Sequence, residues 1–223
     1  MKLSTEEVNY VFNYIKNIDV KFYEIQVELT DHLVLIMEEI WTEDPKLTFH
    51  QVMFRAEQRF GKNYFKEVEE ERTKLLRKEY RRLQFKRVGN YFKFPRIIST
   101  LLLIFIVYRI SFNFEDISLY IKILYSVLIF ASAGLILNWF INRKINGHKF
   151  LALETAFILN NSPISFSYLT LLNANNLKES LNQNHLFFLP LCCLWVFGLL
   201  ITFEGKLITK QIISDIKKQY QLV

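Results

Sequence analysis

The spacing of apolar residues along the N-terminal third of the chain is typical of amphipathic helices. Ser4 and Glu7 form a capping-box pattern, which predicts a helix through about Ile15. A second helix is predicted from about Lys21 to Trp41, because its apolar residues recur every three or four positions, and Pro45 stops any continuation. The apolar stripe of this second helix comprises Phe22, Ile25, Leu29, Leu33, Ile36 and Ile40.

A third, short helix follows Pro45. Thr48 and Gln51 have the spacing of an N-terminal cap, and Gly61 is suited to a left-handed cap at the end of the helix. Phe60 is expected in the same apolar core as the second helix. The sequence therefore predicts a small helical module over residues 1–75.

Four long apolar runs dominate the rest of the chain. Their lengths fall in or near the range of about 17–25 residues that crosses the hydrocarbon core of a bilayer. A single run of this kind is equally compatible with a buried core helix, but four runs with short polar joints favour membrane spans. We therefore predict an all-α fold, in which a small cytosolic helical module (1–75) and a basic juxtamembrane helix (76–96) precede a four-helix transmembrane domain (97–205) and a basic cytosolic tail (206–223). The predicted spans are residues 97–112, 117–141, 150–172 and 186–203.

Composition agrees with this division of the chain. Hydrophobic residues make up 51% of the sequence and charged residues 22%, and the two classes are segregated. Residues 1–96 hold 18 of the 28 Lys and Arg and 16 of the 22 Asp and Glu. The two cysteines, Cys192 and Cys193, are adjacent within the fourth predicted span, which excludes a secreted disulfide scaffold and favours a packing role. A fully soluble enzyme is disfavoured.

Basic residues mark every second segment between the predicted spans. The stretch before the first span and the joint after the second are rich in Lys and Arg, whereas the joint after the first span carries Glu115 and Asp116 and no base. By the positive-inside rule, both termini face the cytosol, with Arg109 and Lys122 toward the outer surface. Pro95 is expected to kink the juxtamembrane helix or to start a new one.

The juxtamembrane charge predicts a lipid partner. The overall net charge of +6 combines −7 over residues 1–71, +9 over residues 72–96 and +4 over residues 97–223. Because the basic stretch lies beside a predicted span, anionic headgroups are a better partner for it than nucleic acid. The candidate headgroup contacts are Arg81, Arg82, Lys86, Arg87, Lys93 and Arg96.

Part of the module resembles a known family. The stretch FYEIQVELTDHL (22–33), the stretch LTFHQ (47–51) and the tripeptide Arg59–Gly61 are similar to the HAAS-type, or permease-prefix, domain, which precedes the spans of small bacterial integral membrane proteins and some permeases. The resemblance covers about residues 5–75. It implies a regulatory helical module in the cytosol, attached to the inner membrane of a bacterium, and it implies no catalytic residues.

Catalytic and metal-binding patterns are weak in this sequence. Asp31 and His32 are adjacent, so they point about 100° apart on a helix, and Ile36 occupies the position where a second metal ligand would follow His32. Phosphate-binding glycine loops and nucleophile motifs are not found in a chain with six glycines. We therefore expect no catalytic residue, no cofactor and no metal site.

Polar residues within the third predicted span form a candidate interaction stripe. Their spacings of seven, four and three residues place them on one face of a helix. Asn160 lies beside the stripe, and Pro163 loosens the helix one turn from its centre. The stripe is either helix–helix glue or a functional polar site that meets a partner's span. It comprises Glu154, Asn161, Ser165 and Tyr168.

The second predicted span contains a candidate helix-packing patch. Small residues allow helices to approach closely in lipid. The patch comprises Ala131, Ser132, Ala133 and Gly134.

The sequence favours a non-enzymatic accessory or regulatory subunit of the membrane. Such a subunit anchors the cytosolic helical module and packs with partner membrane proteins or with further copies of itself. The alternative is a small four-span transporter or channel that acts as an oligomer. A membrane enzyme would need acids or histidines clustered at one membrane face, and the sequence offers no such cluster.

Overall fold

The computed structural model describes residues 2–18, 20–60 and 64–221. Almost all of these residues lie in α-helices, which confirms the all-α class expected from the sequence. Short 3₁₀ turns occupy Asn90–Phe92 and His185–Phe188. The α-helices are α1 (Thr5–Asn17), α2 (Tyr23–Glu43), α3 (Phe49–Phe60), α4 (Tyr64–Gly89), α5 (Arg96–Ser111), α6 (Ile117–Asn142), α7 (Leu151–Asn160), α8 (Ser162–Gln183) and α9 (Leu189–Gln219).

The chain divides into two compact units. The first unit comprises Met1–Leu76 together with Lys144–Ala152. The second unit comprises Arg77–Arg143 together with Leu153–Val223. The first unit is therefore built from two separate chain segments, and the second of these is the joint between α6 and α7.

Helix α1 begins with the predicted capping box. The Ser4 backbone N–H donates to Glu7 Oε2 at 2.7 Å, and the Glu7 N–H donates to Ser4 Oγ at 3.3 Å. Two backbone donors that a helix start leaves without a partner are satisfied in this way.

The core of the first unit follows the predicted stripe of α2 with one exception. Phe22, Leu29 and Leu33 are buried as predicted. Ile36 is only half-buried, because Met37, which lies a full turn beyond Leu33, occupies the core position instead. The Phe60 side chain and Gly61 were also predicted in this region, and they lie outside the described residues.

The joint between α6 and α7 forms a short β-hairpin, which belongs to the first unit. Strand β1 (Lys144–Ile145) pairs antiparallel with strand β2 (His148–Lys149). The turn residues Asn146 and Gly147 have φ angles of 49° and 83°, as a two-residue type I′ turn requires. Asn-Gly is the strongest short-range signal for such a hairpin, and the sequence reasoning missed it.

Two helices of the described chain are long and apolar enough to cross a membrane, Ile117–Asn142 and His185–Gln219. The bent pair Tyr64–Phe92 and Arg96–Ser111, with 82° between its helices, is a third candidate. Pro95 precedes α5, so it starts a new helix, which is one of the two predicted outcomes. At 16 residues and about 1.5 Å per residue, α5 is shorter than the hydrocarbon core, which is about 30 Å thick. The structure therefore supports two or three candidate spans, and the four predicted spans stay a prediction.

The third apolar run is two helices rather than one. Helix α7 ends at Asn160 and α8 begins at Ser162. Pro163 has no N–H, and in a continuous helix its ring would collide with the Leu159 carbonyl. In the first turn of a new helix both restrictions are harmless, so the chain breaks before the proline.

Helices α7 and α8 run antiparallel along the whole length of α6. Contacts from the end of α6 back to its start involve successively later residues of α7 and α8. Trp139 stacks on Phe157 with ring centroids 4.4 Å apart, the Tyr125 and Phe166 rings lie 6.5 Å apart, Ser118 Oγ donates to Asn175 Oδ1 at 3.0 Å, and Lys178 Nζ lies 3.4 Å from Asp116 Oδ1.

Helix α9 runs parallel to α6. The Trp195 indole N–H donates to the Leu124 carbonyl at 2.7 Å, and Ser132 Oγ lies 3.2 Å from Thr202 Oγ1. Later residues of α9 therefore lie beside later residues of α6. Helix α9 also continues to Gln219, well beyond the predicted end of the fourth span at residue 203.

Candidate functional site

A buried amide network joins α4, α7 and α9 within the second unit. Gln84 Nε2 donates to Asn160 Oδ1 at 3.0 Å. Asn160 Nδ2 donates to the Gly205 carbonyl at 3.3 Å and to Thr209 Oγ1 at 3.2 Å. Both amide side chains are buried. Because buried polar groups are costly unless they are paired, this network fixes the three helices to one another.

A buried carboxylate lies on the same stretch of α9. Glu204 is 6% exposed. Its Oε1 accepts from the Tyr91 hydroxyl at 2.9 Å, and its Oε2 lies 3.8 Å from Arg87 Nη1. The Arg87 guanidinium also donates to Gln211 Oε1. A buried charge persists only when it is paired, so Arg87 and Tyr91 together compensate for Glu204.

Two glycines of α9 permit these close contacts. A Cβ at Gly205 would lie 2.5 Å from Asn160 Oδ1, and a Cβ at Gly198 would lie 2.5 Å from Phe166 Cζ. Both distances are shorter than any van der Waals contact allows. The absence of a side chain at these positions is therefore what lets α7 and α8 approach α9.

A small cleft lies beside the amide network. Its volume of about 10 Å³ is enough for about one water molecule. The polar groups at its wall come from Asn142, Asn160 and Thr209. Such a cleft is suited to hydrating the network and is far below the usual size of a site for an organic ligand.

The structure separates the members of the predicted stripe. Glu154 lies on α7, whereas Ser165 and Tyr168 lie on α8, and all three side chains are exposed. Asn161 lies at the break between the helices, and its Oδ1 is shielded from solvent with no hydrogen-bond partner among the described residues. Asn160, its immediate neighbour, is the residue that bonds to other helices of the same chain.

The predicted packing patch contributes one contact. Ser132 is buried against α9, where it contacts Thr202. Ala131 and Gly134 are exposed, and a Cβ at Gly134 would meet nothing within 4 Å. The close helix approach comes instead from α9, where the seven-residue spacing of Gly198 and Gly205 was the sequence signal that was missed.

The predicted headgroup contacts differ in exposure. Arg87 is half-buried and belongs to the Glu204 cluster. Three exposed aromatic side chains, Phe85, Phe92 and Phe94, lie among the other basic residues. The predicted contacts that are exposed are Arg81, Arg82, Lys86, Lys93 and Arg96.

The histidine and the two cysteines considered in the sequence lie in different parts of the fold. His32 Nδ1 lies 3.0 Å from the Tyr64 hydroxyl, so it links α2 to the start of α4. Cys192 is buried in the core of the second unit, and Cys193 is exposed. Within the described ranges, no three His, Cys, Asp or Glu side chains come close enough together to hold a metal ion.

Comparison of the chain with models of protein families, with curated proteins and with solved structures finds no match.

Proposed function

We propose that the protein is a non-enzymatic accessory or regulatory subunit of the bacterial inner membrane. It anchors a cytosolic helical module and packs with partner membrane proteins. The observation that carries this proposal is the composition of the first unit, which contains both the N-terminal helices and the α6–α7 joint. Segments that fold together lie on the same side of a membrane.

Because the two segments of the first unit lie on one side of the membrane, we expect α5 as well as α6 to cross it. Between Leu76 and Lys144 the chain must cross the membrane an even number of times, and α6 is a candidate span. Helix α5 is the other apolar helix in this interval, so it makes the return crossing. Its shortness is accommodated by local thinning of the bilayer and by snorkelling of Lys93 and Arg109 near its two ends.

The contacts of α7, α8 and α9 with α6 support the third and fourth crossings. Helices α7 and α8 together accompany α6 over its whole length, so they cover the same membrane depth. A helix break at that depth is tolerated where protein covers the backbone. Helix α9 runs parallel to α6, so it ends at the membrane face at which α6 ends. Both termini then lie on the side of the basic segments, which is the cytosolic side.

The juxtamembrane segment fits an anionic bilayer surface. Helix α4 and the 3₁₀ turn that follows it end at Phe92 and make an angle of 82° with α5. This segment is therefore nearly perpendicular to the span. Its exposed bases match anionic headgroups, and Phe85 and Phe94 offer apolar side chains to the interface.

The first unit supplies the regulatory part of the proposal. Its helices α1 to α3 are compatible with the HAAS-type resemblance, which attaches a helical module to membrane spans. Apolar side chains on α5 and α6, such as Phe105 and Phe130, are exposed and meet either lipid or the spans of a partner.

One observation favours the alternative of a small transporter. The break at Asn161 lies within an apolar run, and its amide oxygen is buried without a partner among the described residues. Broken helices of this kind hold substrate sites in many transporters. Against this reading, the neighbouring polar groups bond to one another, and the cleft beside them is about 10 Å³.

Co-purification separates the two functions. The tagged full-length protein is extracted in mild detergent, passed through size exclusion and identified with its companions by mass spectrometry. A membrane protein present at a constant ratio in independent preparations is the expected result. A chain that purifies only with itself, and that carries a solute into reconstituted vesicles, would contradict the accessory role and support transport.

A further inference from the structure

A half-buried carboxyl group joins α2 to the start of α7 within the first unit. Glu24 Oε1 accepts from the Ala152 backbone N–H at 2.8 Å. Glu24 Oε2 is shielded from solvent and has no hydrogen-bond partner among the described residues. Oε1 therefore satisfies one backbone donor at the start of α7, whereas Oε2 has no hydrogen-bond partner among the described residues.

The hairpin positions this contact. Phe150, directly after β2, is buried at 2% exposure. The Tyr23 ring lies 4.4 Å from the His148 ring and 5.8 Å from the Phe150 ring, measured between centroids. These apolar contacts hold the first turn of α7 over Glu24, so the carboxyl group is covered as soon as the segment Lys144–Ala152 docks on α2.

The environment of Glu24 favours its neutral form. Burial raises the pKa of this carboxyl from 4.5 to about 7, although hydrogen bonds from backbone N–H groups, including that of Ala152, and the charge of Arg72 oppose the shift. Arg72 comes from α4. On the hairpin, His148 packs against the neighbouring Tyr23, and Lys144 and Lys149 are exposed.

We propose that Glu24 is an acid-closed latch, which holds the segment Lys144–Ala152 on α2 when the carboxyl is protonated and loosens that segment when the carboxyl is ionised. The partner is a segment of this same chain, so the proposal stands whether or not the accessory role is correct.

The direction of the pH effect follows from linkage. In the loosened state the carboxyl meets water and titrates near 4.5, whereas in the docked state it titrates near 7. Docking therefore takes up a proton between these two pH values. The stability of the docked state is fully present below pH 4.5 and is lost as the pH rises through 7. Relative to the fully protonated form, docking is weakened about 30-fold at pH 6 and about 300-fold at pH 8, so it changes about tenfold between these two pH values.

Hydrogen exchange at Ala152 reads the latch directly, because its amide is the donor to Glu24. The full-length protein in lipid nanodiscs is compared with Glu24→Gln, a neutral mimic, at pH 6 and at pH 8. Taking the ratio of the two proteins at the same pH removes the intrinsic pH dependence of exchange. We expect the wild type to exchange faster than Glu24→Gln at both pH values, and we expect the ratio of the two rates to grow about tenfold from pH 6 to pH 8. An equal ratio at both pH values would overturn the proposal.

Three further variants make the result specific. Glu39→Gln removes an exposed carboxyl from the same helix and is expected to behave as wild type at both pH values. His148→Gln is expected to keep the pH dependence of the wild type. If His148→Gln lost the pH dependence and Glu24→Gln kept it, the titrating group would be the histidine instead. Arg72→Gln removes a positive charge that lowers the pKa of Glu24, so the pH midpoint for loosening is expected to move to higher pH. An unchanged midpoint or a shift to lower pH would contradict the assignment to Glu24, and this variant gives that second test even if Glu24→Gln folds poorly.

Discussion

At the scale of single residues, Gly198 and Gly205 place two other helices against α9. Each position would bring a Cβ to 2.5 Å from a neighbouring side chain, from Phe166 in one case and from Asn160 in the other. Gly134 on α6 has open space around it. The three glycines therefore differ in what they contribute, although all three lie inside helices.

Gly205→Ala is expected to destabilise the protein, and Gly134→Ala is the matched control. The new methyl group at residue 205 displaces Asn160 and disturbs its hydrogen bonds, at a cost of about 1–3 kcal/mol. The methyl group at residue 134 meets no atom and removes a helix-weakening glycine, which stabilises by up to about 1 kcal/mol. Thermal unfolding of the purified variants in detergent checks both signs. Equal behaviour of the two variants would contradict the close approach at α9.

Asn160 and Asn161 are adjacent but are expected to respond differently to substitution. Asn160→Leu leaves the Gln84 amide buried without its partner, so it is expected to lower stability by about 1–3 kcal/mol. Asn161→Leu breaks no hydrogen bond of its side chain to the described residues, so the fold persists.

Partner retention and transport in Asn161→Leu distinguish its two functional interpretations. Normal abundance with a lost partner supports a contact face, and normal abundance with lost solute flux supports a transport site. If Asn161→Leu and Glu154→Gln left abundance, partner retention and flux all unchanged, the stripe would be neither.

At the scale of helices, local signals in the sequence predicted the beginnings of elements well. The capping box at Ser4 and the new helix after Pro95 are both present. Pro163 was expected to loosen a helix and instead separates two. The hairpin at Asn146–Gly147 has a clear local signal in its Asn-Gly dipeptide, but this signal is only two residues long and lies between two long apolar runs.

The core of α2 provides a test at this scale. Leu33 is 1% exposed and Leu35 is 63% exposed, although both lie on the same helix. Leu33→Asp places an unpaired charge among apolar side chains and is expected to cost several kcal/mol (about 3–5). Leu35→Asp is expected to stay within about 0.5 kcal/mol of the wild type. Hydrogen exchange of α1, α2 and α3 in the full-length protein measures the difference, and equal protection in the two variants would mean that the core is wrongly assigned.

At the scale of the whole molecule, the buried polar residues could not be predicted from spacing alone. The network of Asn160 depends on α4 and α9, which are distant in sequence, and helical periodicity carries no information about which helices meet. The predicted stripe started from the same region but selected Asn161, because its spacing assumed one continuous helix. Alternating charge, by contrast, is a property of the whole chain, and the membrane topology that it predicts stays a prediction.

The side of the membrane on which each segment lies tests the central proposal most directly. Single cysteines at exposed positions, in a Cys193→Ser background, are reacted with a membrane-impermeant maleimide in intact and in permeabilised cells. We expect Lys2→Cys, Lys144→Cys and Gln219→Cys to react only after permeabilisation, and Glu115→Cys and Asn176→Cys to react in intact cells. Labelling of Lys144→Cys from the side opposite to Lys2→Cys would contradict the shared first unit and, with it, the four-crossing arrangement.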